Sequence, residues 1–296
     1  MERIRGGWAN VPPNLKTKTM LAKEGKKPTG EPKAEVWTSY QWAKLYDANE
    51  TTEKKPVTVK QLAALEKARA AAEANRTCSE CEEIVSAKDI VKQEDGSRIC
   101  KFCLEWIRLE KRKTDMIVEG ERVFRSWFYE DFVILDTETT DLNGEIIEIG
   151  IMDRSGQTVF HSLIKPILPV VDDSEATAIH GITDDHLEDA PRWSDVWDQV
   201  LSVLNNKLIL SYNADFDKTM VANSCRRNGI KPIELKWGCV MEAYRLAAGS
   251  EKWISLADAS GIYTAHRARE DCRSTLQVIR AKWAQLGLSE ETRAVY

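Results

Sequence analysis

The tightest constraint in this chain is Asp136-Thr137-Glu138, which follows directly on the apolar run Phe132-Val133-Ile134-Leu135. A run of β-branched and large apolar residues reads as a buried strand. Residues two apart in a strand share a face, so both carboxylates should point to one place. Unpaired charges at the end of a buried strand are costly. A divalent cation is the economical partner, because hard cations take oxygen ligands. An exposed acidic turn after a strand is the alternative that this stretch alone leaves open.

Two later stretches bear on that choice. Tyr212-Asn213-Ala214-Asp215-Phe216-Asp217 follows a second apolar run, Leu208-Ile209-Leu210, and His266-Arg267-Ala268-Arg269-Glu270-Asp271 opens an expected helix. Asp-x-Glu, then Asn-x-x-Phe-Asp, then His-x-x-x-x-Asp, in this order, resembles the DEDDh family of 3′→5′ exonucleases, which includes RNase T and the DnaQ-like proofreading exonucleases. The resemblance spans about residues 132–287.

That resemblance implies a ribonuclease-H-like fold and assigns roles residue by residue. Asp136, Glu138, Asp217 and Asp271 match the metal ligands, and His266 matches the general base. Two Mg²⁺ or Mn²⁺ ions are implied. Ions roughly 4 Å apart can clamp the attacking and leaving oxygens of a phosphodiester, and one lowers the pKa of the attacking water. An imidazole, with an ordinary pKa near 6.5, suits taking a proton from water near neutrality. In the family the histidine sits in a loop just before the helix that bears the last aspartate, and Thr264-Ala265 fits such a start.

Ile179-His180-Gly181-Ile182-Thr183 matches a segment that lies beside the terminal nucleotide in DnaQ-like relatives. His180 and Ile182 are therefore expected to line the substrate pocket, with Asn213 as a further contact. Thr137 and Thr139 can offer backbone or hydroxyl contacts. Gly181 also reads as a turn before a helix capped by Thr183. Two positions depart from the family pattern: Tyr212 stands where histidine is common, and Asp141 where glycine is common. Asp141 and Asp215 are expected to support the site or face solvent rather than bind metal.

A separate motif lies upstream. Cys78-x-x-Cys81 and Cys100-x-x-Cys103 are separated by 18 residues, a spacing typical of a Cys₄ zinc site. The short charged segment between them, with Asp95-Gly96 as a hairpin turn, has little core of its own, so one structural Zn²⁺ would supply folding energy. A redox Cys-x-x-Cys pair is the alternative. Cys225, Cys239 and Cys272 show no ligand spacing and read as small buried hydrophobes. Seven cysteines without a disulfide framework point to a reducing, cytoplasmic setting. No apolar run reaches the roughly 18 residues of a membrane span, and no signal peptide is expected.

The net charge of −5 is unevenly spread: residues 1–120 hold 23 Lys and Arg against 19 Asp and Glu, and residues 121–296 hold 19 against 28. The basic half is a candidate for touching phosphate, and so are Arg108, Lys111, Arg112 and Lys113. A solvated surface fits both equally well.

The expected organisation is α/β: a basic, partly extended region with one helix at 1–75, a zinc-ribbon-like module at 76–113, a linker at 114–130, and a mixed sheet flanked by helices at 131–296. Trp37, Tyr40, Trp42, Leu45 and Tyr46 read first as a small packing patch, with base stacking as the alternative. Thr58 should cap a helix running to residue 74 whose alanine-rich face is thin. Strands are expected at 132–136, 145–152 and 158–164 as an antiparallel meander, then at 207–212 and 235–240. Helices are expected at 193–204, 215–228, 241–248, 255–259 and 265–286, and Trp237 and Trp253 as core residues.

The function expected from these readings is metal-dependent 3′→5′ exonucleolysis of single-stranded ends, DNA favoured. An exoribonuclease of the RNase T type is the enzymatic alternative, and a silent nucleic-acid-binding scaffold the non-enzymatic one. A protein partner through residues 1–75 and homo-oligomerisation stay open.

Overall fold

The computed structural model describes residues 1–170, 175–263 and 266–289, and it divides into two compact units, Met1–Cys103 and Leu104–Tyr296.

The first unit contains β1 (Glu2–Ile4), β2 (Leu15–Thr17), α1 (Lys18–Lys23), β3 (Lys26–Pro28), β4 (Ala34–Trp37), β5 (Trp42–Asp47) and β6 (Thr51–Glu53). β1, β4, β5 and β2 form a four-stranded sheet in that order, and β3 pairs with β6. This corrects the expectation of a partly extended region. Its most deeply buried aliphatic residues, Leu21, Ala34, Val36 and Leu45, come from three short elements, α1, β4 and β5. No single strand is long enough to display an apolar period. The aromatic patch divides: Tyr46 is buried, Trp37 meets Trp42 tilted at 59° with ring centroids 5.5 Å apart, and Tyr40 is 91% exposed.

α2 (Val59–Ala74) starts as expected at Thr58, whose hydroxyl accepts from the Gln61 amide while the Gln61 side chain accepts from the Thr58 amide. None of its residues is buried, in keeping with its thin apolar face. β7 (Ile90–Lys92) and β8 (Arg98–Cys100) then form a hairpin whose turn is closed by the Asp95 carboxylate accepting from the Ser97 amide.

α3 (Lys101–Tyr129) is one continuous helix of 29 residues. The expected module boundary at 113 and the expected linker at 114–130 therefore lie inside a helix. Phe124, Trp127 and Phe128 of that stretch are buried in the core of the second unit. Their i, i+3, i+4 spacing is the signal of a packed helical face.

The second unit continues with β9 (Phe132–Thr139), β10 (Ile146–Asp153), β11 (Thr158–Leu163), α4 (Glu175–His180), α5 (Asp184–Leu187), α6 (Trp193–Leu204), β12 (Leu208–Ser211), α7 (Ala214–Arg227), β13 (Lys236–Cys239), α8 (Val240–Ala247), α9 (Leu256–Ser260) and α10 (Ala268–Gln285). The sheet order is β11-β10-β9-β12-β13. β9, β10 and β11 are the expected antiparallel meander, and β12 runs parallel to both β9 and β13. This is a ribonuclease-H-like mixed sheet with helices on both faces.

β9 sits at the centre and alternates between two cores. Phe132 and Ile134 face a cluster built with Cys272, Leu276 and Ile279 of α10. Val133 and Leu135 face the other cluster, with α6 and with Met220, Val221 and Cys225 of α7. Continuing that alternation, Asp136 and Glu138 emerge on the α10 side. α4 was not foreseen, whereas α5 follows Thr183 as expected. Trp253 is 69% exposed and so is not the core residue expected, while Trp237 packs against the α6–α7 cluster. Cys225 and Cys272 are buried, and Cys239 is only half-buried. Among the described residues no helix is long and apolar enough to cross a membrane.

Candidate active site

The close approach of α10 to the sheet sets the site. Gly150 of β10 pairs with Asp136 of β9, and a Cβ at Gly150 would lie 2.8 Å from the carbonyl of Ala268 and 2.9 Å from the Arg269 amide nitrogen. Only a glycine lets the first turn of α10 rest on the strand backbone here. Cys272 completes the seat, with its thiol 3.3 Å from the Gly150 carbonyl. Asp271, in that first turn, is thereby brought to the end of β9.

Carboxylate oxygens of Asp136, Glu138 and Asp271 lie within 4.8 Å of one another. Asp217, near the start of α7, is held beside them: it accepts from Thr137 Oγ1 at 2.8 Å and from the Ser211 hydroxyl at the end of β12. Its charge is the first among those that raise Asp136. Burial pushes all four carboxyls up. Asp136 rises well above the usual range, with Asp217, Glu138 and Asp271 adding repulsion. Glu138 rises to about 8, with repulsion from Asp271 and Glu148 adding to burial. Asp217 reaches about 6, burial being offset by the Ser211 and Thr137 hydroxyls. Asp271 also reaches about 6, burial being offset by the His266 charge. Among the described residues no Lys or Arg is in ion-pair contact with any of the four. One oxygen of Asp271 is buried with no hydrogen-bond partner. Four crowded acids and an orphaned oxygen fit a site for hard cations.

His266 precedes α10 with a φ of 47°, a left-handed conformation uncommon for a residue with a Cβ. Thr264 and Ala265, expected to lead into it, lie outside the described residues. The His266 charge is felt by both Asp271 and His180. Such local strain persists only where the surroundings fix it, and the next residue shows how.

Arg267 donates two hydrogen bonds to Glu148, Nε to Oε2 and Nη2 to Oε1, both at 2.9 Å. Glu148 also meets the Ala268 amide at 3.3 Å and His161 Nε2 at 2.8 Å. Glu148 is 1% exposed and pairs across the sheet with Glu138. Burial would raise its carboxyl, but Arg267 and His161 outweigh burial and hold it below the usual range. Glu148 thus has its cation at hydrogen-bond distance, whereas among the described residues the four neighbouring acids have no Lys or Arg in ion-pair contact.

Sequence reasoning missed this pair. Its trace is a lone glutamate inside an isoleucine-rich strand and an arginine directly after His266. Replacing Arg267 by alanine is expected to lower kcat by about tenfold to a hundredfold through loss of positioning, with KM little changed. Stability should fall by about 1–3 kcal/mol, less than for a fully buried pair because the Arg267 side chain is 42% exposed. Arg267→Lys keeps the charge but not the fork and should fall between. Steady-state kinetics with thermal unfolding checks both.

A pocket of about 480 Å³ opens beside Glu138 and is lined by Thr137, Thr139 and His180 as expected, and also by Leu142, Ile179 and Phe216. Leu142 and Ile179 are 77% and 56% exposed, an apolar wall that the motifs did not announce. His180 lies 3.2 Å from the Thr139 carbonyl through Nε2, and its Nδ1 accepts from the Ile182 amide at 3.0 Å. That pattern requires the neutral ring protonated on Nε2, in keeping with burial lowering its pKa. Both nitrogens are used internally, so His180 offers the pocket a ring surface rather than a hydrogen bond.

Ile182 corrects the expectation: it is buried with Ile147, Val170 and Leu187 rather than on the pocket wall. Asn213 is exposed at the N-cap of α7, where its carbonyl accepts from the Phe216 and Asp217 amides, and it does not line the pocket. Tyr212 donates to the Ile254 carbonyl at 2.7 Å and packs in the core. Asp141 and Asp215 are both exposed.

In the first unit, sulfur atoms of Cys78, Cys81, Cys100 and Cys103 also lie within 4.8 Å of one another. Cys78 accepts from the Cys100 amide at 3.2 Å, and Cys100 from the Cys103 amide at 3.4 Å. Burial raises the Cys78 thiol, but backbone amides of Cys100, Cys81 and Glu80 outweigh it and bring it down to about 6. The Cys103 thiol is raised by its contact with Cys100. Four sulfurs this close together suit a site that binds them as thiolates.

Comparison with known proteins agrees with this geometry. The RNase T exonuclease family profile matches residues 133–279. An uncharacterised exonuclease of Escherichia phage 186 is 34% identical over 177 residues, covering 53% of this chain and 90% of that protein. The DNA polymerase III epsilon subunit of Buchnera aphidicola (Schizaphis graminum) is 37% identical over 97 residues, which is 29% of this chain and 41% of that subunit. A solved exonuclease X in complex with 5′ overhanging duplex DNA is 26% identical, with a TM-score of 0.43 over 55% of this chain and 97% of that one. By its second unit, this chain belongs to the RNase T family of exonucleases.

Proposed function

We propose that this exonuclease is divalent-metal-dependent, works from 3′ to 5′, and removes nucleotides from single-stranded ends, DNA ahead of RNA. The carrying observation is the cluster of Asp136, Glu138 and Asp271, buried enough to raise their pKa values and, among the described residues, without a Lys or Arg in ion-pair contact. With Asp217 they make a donor set suited to two Mg²⁺ or Mn²⁺ ions. When bound, such ions neutralise charge on the attacking and leaving oxygens of the phosphodiester. The chain's own residues do the rest. Thr137 and Ser211 orient Asp217, Arg267 and Glu148 hold the segment that carries His266, and His266 takes the proton of the attacking water. Leu142, Ile179 and the His180 ring form the apolar seat for the terminal nucleotide. The four cysteines hold a structural zinc: one zinc per chain is expected by elemental analysis, and none in Cys78→Ser/Cys100→Ser.

The test uses purified full-length protein, Mn²⁺, and matched DNA and RNA strands labelled at either end. A 5′-labelled strand should shorten stepwise, and a 3′-labelled strand should release labelled mononucleotide at once. Early release of the 5′ label would overturn the polarity. Faster loss of RNA than DNA would overturn the DNA preference and favour an exoribonuclease.

A further inference from the structure

We propose that residues 1–54 carry a second nucleic-acid site, a groove that binds the backbone and a base of a single strand. The choice of ligand class rests on the exonuclease assignment, but the site is built by the first unit alone.

The groove, about 760 Å³, lies against α1 and β5. Its wall includes Lys18, Lys23 and Lys44, the hydroxyls of Thr17, Thr19 and Thr38, and the ring of Trp8. No Asp or Glu lines it. Some other cations of the same unit are paired: Lys16 with Glu24 at 2.6 Å, Lys33 with Glu50 at 2.9 Å, and Arg3 with Glu35 at 3.5 Å. The three groove lysines are exposed, and among the described residues none has a carboxylate in ion-pair contact. Lys18 rests over the Tyr46 ring at 5.0 Å, which holds its charge at the groove. Two of the hydroxyls serve the fold, Thr17 capping α1 and Thr38 bonding the Gln41 carbonyl. Trp8 is 46% exposed, a large flat ring left facing water.

Unpaired lysines and an exposed indole in one groove are the two parts that a sequence-tolerant strand site needs: charge for the phosphates and a face for stacking. An acidic protein segment would use the first and leave the second idle. A strand held there would keep a long substrate on the enzyme between cuts.

The experiment is fluorescence anisotropy of full-length protein with a labelled oligo-dT of about 20 nucleotides, in an Asp136→Ala background so that no cleavage occurs and the zinc stays in place, across a salt series. Lys18→Ala/Lys23→Ala/Lys44→Ala should weaken binding at least tenfold. It should also reduce the slope of log K against log salt by about 2, three contacts at roughly 0.7 each. Trp8→Ala should weaken binding about tenfold with the slope unchanged. With Asp136 restored, both variants should cleave a dinucleotide at the wild-type rate. Wild-type affinity and slope in the triple variant would overturn the proposal. So would competition by poly-glutamate as effective as that by an unlabelled strand, which would mark an acidic protein as the ligand. Failure of the wild type to cleave the dinucleotide would instead count against the exonuclease assignment, whatever the groove binds.

Discussion

Replacing Asp136 by alanine is expected to slow strand hydrolysis by about a thousandfold or more, several kcal/mol of lost transition-state stabilisation, and to leave strand binding nearly intact. Asp136 lies toward the end of β9, on the side of the sheet that packs against α10. Its strand is central, its partner across β10 is Gly150, and Asp217, Glu138 and Asp271 all bear on its charge. Burial and its neighbours raise its carboxyl well above the usual range, a repulsion that a divalent ion should relieve. The alanine removes that ligand and also the repulsion. The variant should therefore be at least as stable as wild type without metal, and should gain less stability from Mn²⁺. Single-turnover cleavage with thermal unfolding, with and without Mn²⁺, measures both. A near-normal rate would remove Asp136 from the chemistry.

His266→Ala should cost about 10²–10⁴ in rate, the usual range for a general base, and should keep metal binding. That contrast separates the two roles: Asp136→Ala loses metal and rate together, His266→Ala loses rate alone. The ring sits half-buried on a left-handed residue, at the end of a helix clamped by the Glu148–Arg267 fork. Its charge acts on Asp271, so it bears on the acidic cluster. His180→Ala is the matched control. Both its nitrogens are committed to the backbone, so its loss should raise KM more than it lowers kcat.

The long-range gathering of Asp136, Glu138, Asp217 and Asp271 was legible because each sits at a junction that local pattern marks: a strand end or a helix start. The sheet meander was legible for the same reason, since Asn143-Gly144 and Ser155-Gly156 interrupt clear apolar runs. What escaped was whatever depends on single residues meeting across distance. Glu148 and Arg267 are 119 residues apart and neither belongs to a motif. The first unit's sheet was missed because its core draws on isolated residues in very short strands. Ile182 departs from the expectation because neighbouring positions in a turn diverge: His180 lines the pocket while Ile182 packs inward. Phe124, Trp127 and Phe128 carry a helical period, and it places residues 114–129 in α3 rather than in the expected linker.

The pKa shifts set the sign of the pH dependence. Asp136, Glu138, Asp217 and Asp271 are all raised in the metal-free protein, Glu138 to about 8 and Asp217 and Asp271 to about 6. Unfolded, such groups titrate near 4. Between those values the folded state holds the extra protons, so metal-free stability should fall as pH rises from about 4 to about 8. Divalent ions must displace those protons, so stabilisation by Mn²⁺ should be larger at pH 8 than at pH 6.

The most direct test is calorimetric titration of metal-free full-length protein with Mn²⁺ near pH 7, repeated in two buffers of different ionisation enthalpy. The expected result is saturable binding of two ions with net proton release, lost or sharply weakened in Asp136→Ala and Asp271→Ala. Absence of saturable binding, or binding of the same strength and proton count in those variants, would contradict the assignment of these carboxylates as the metal site.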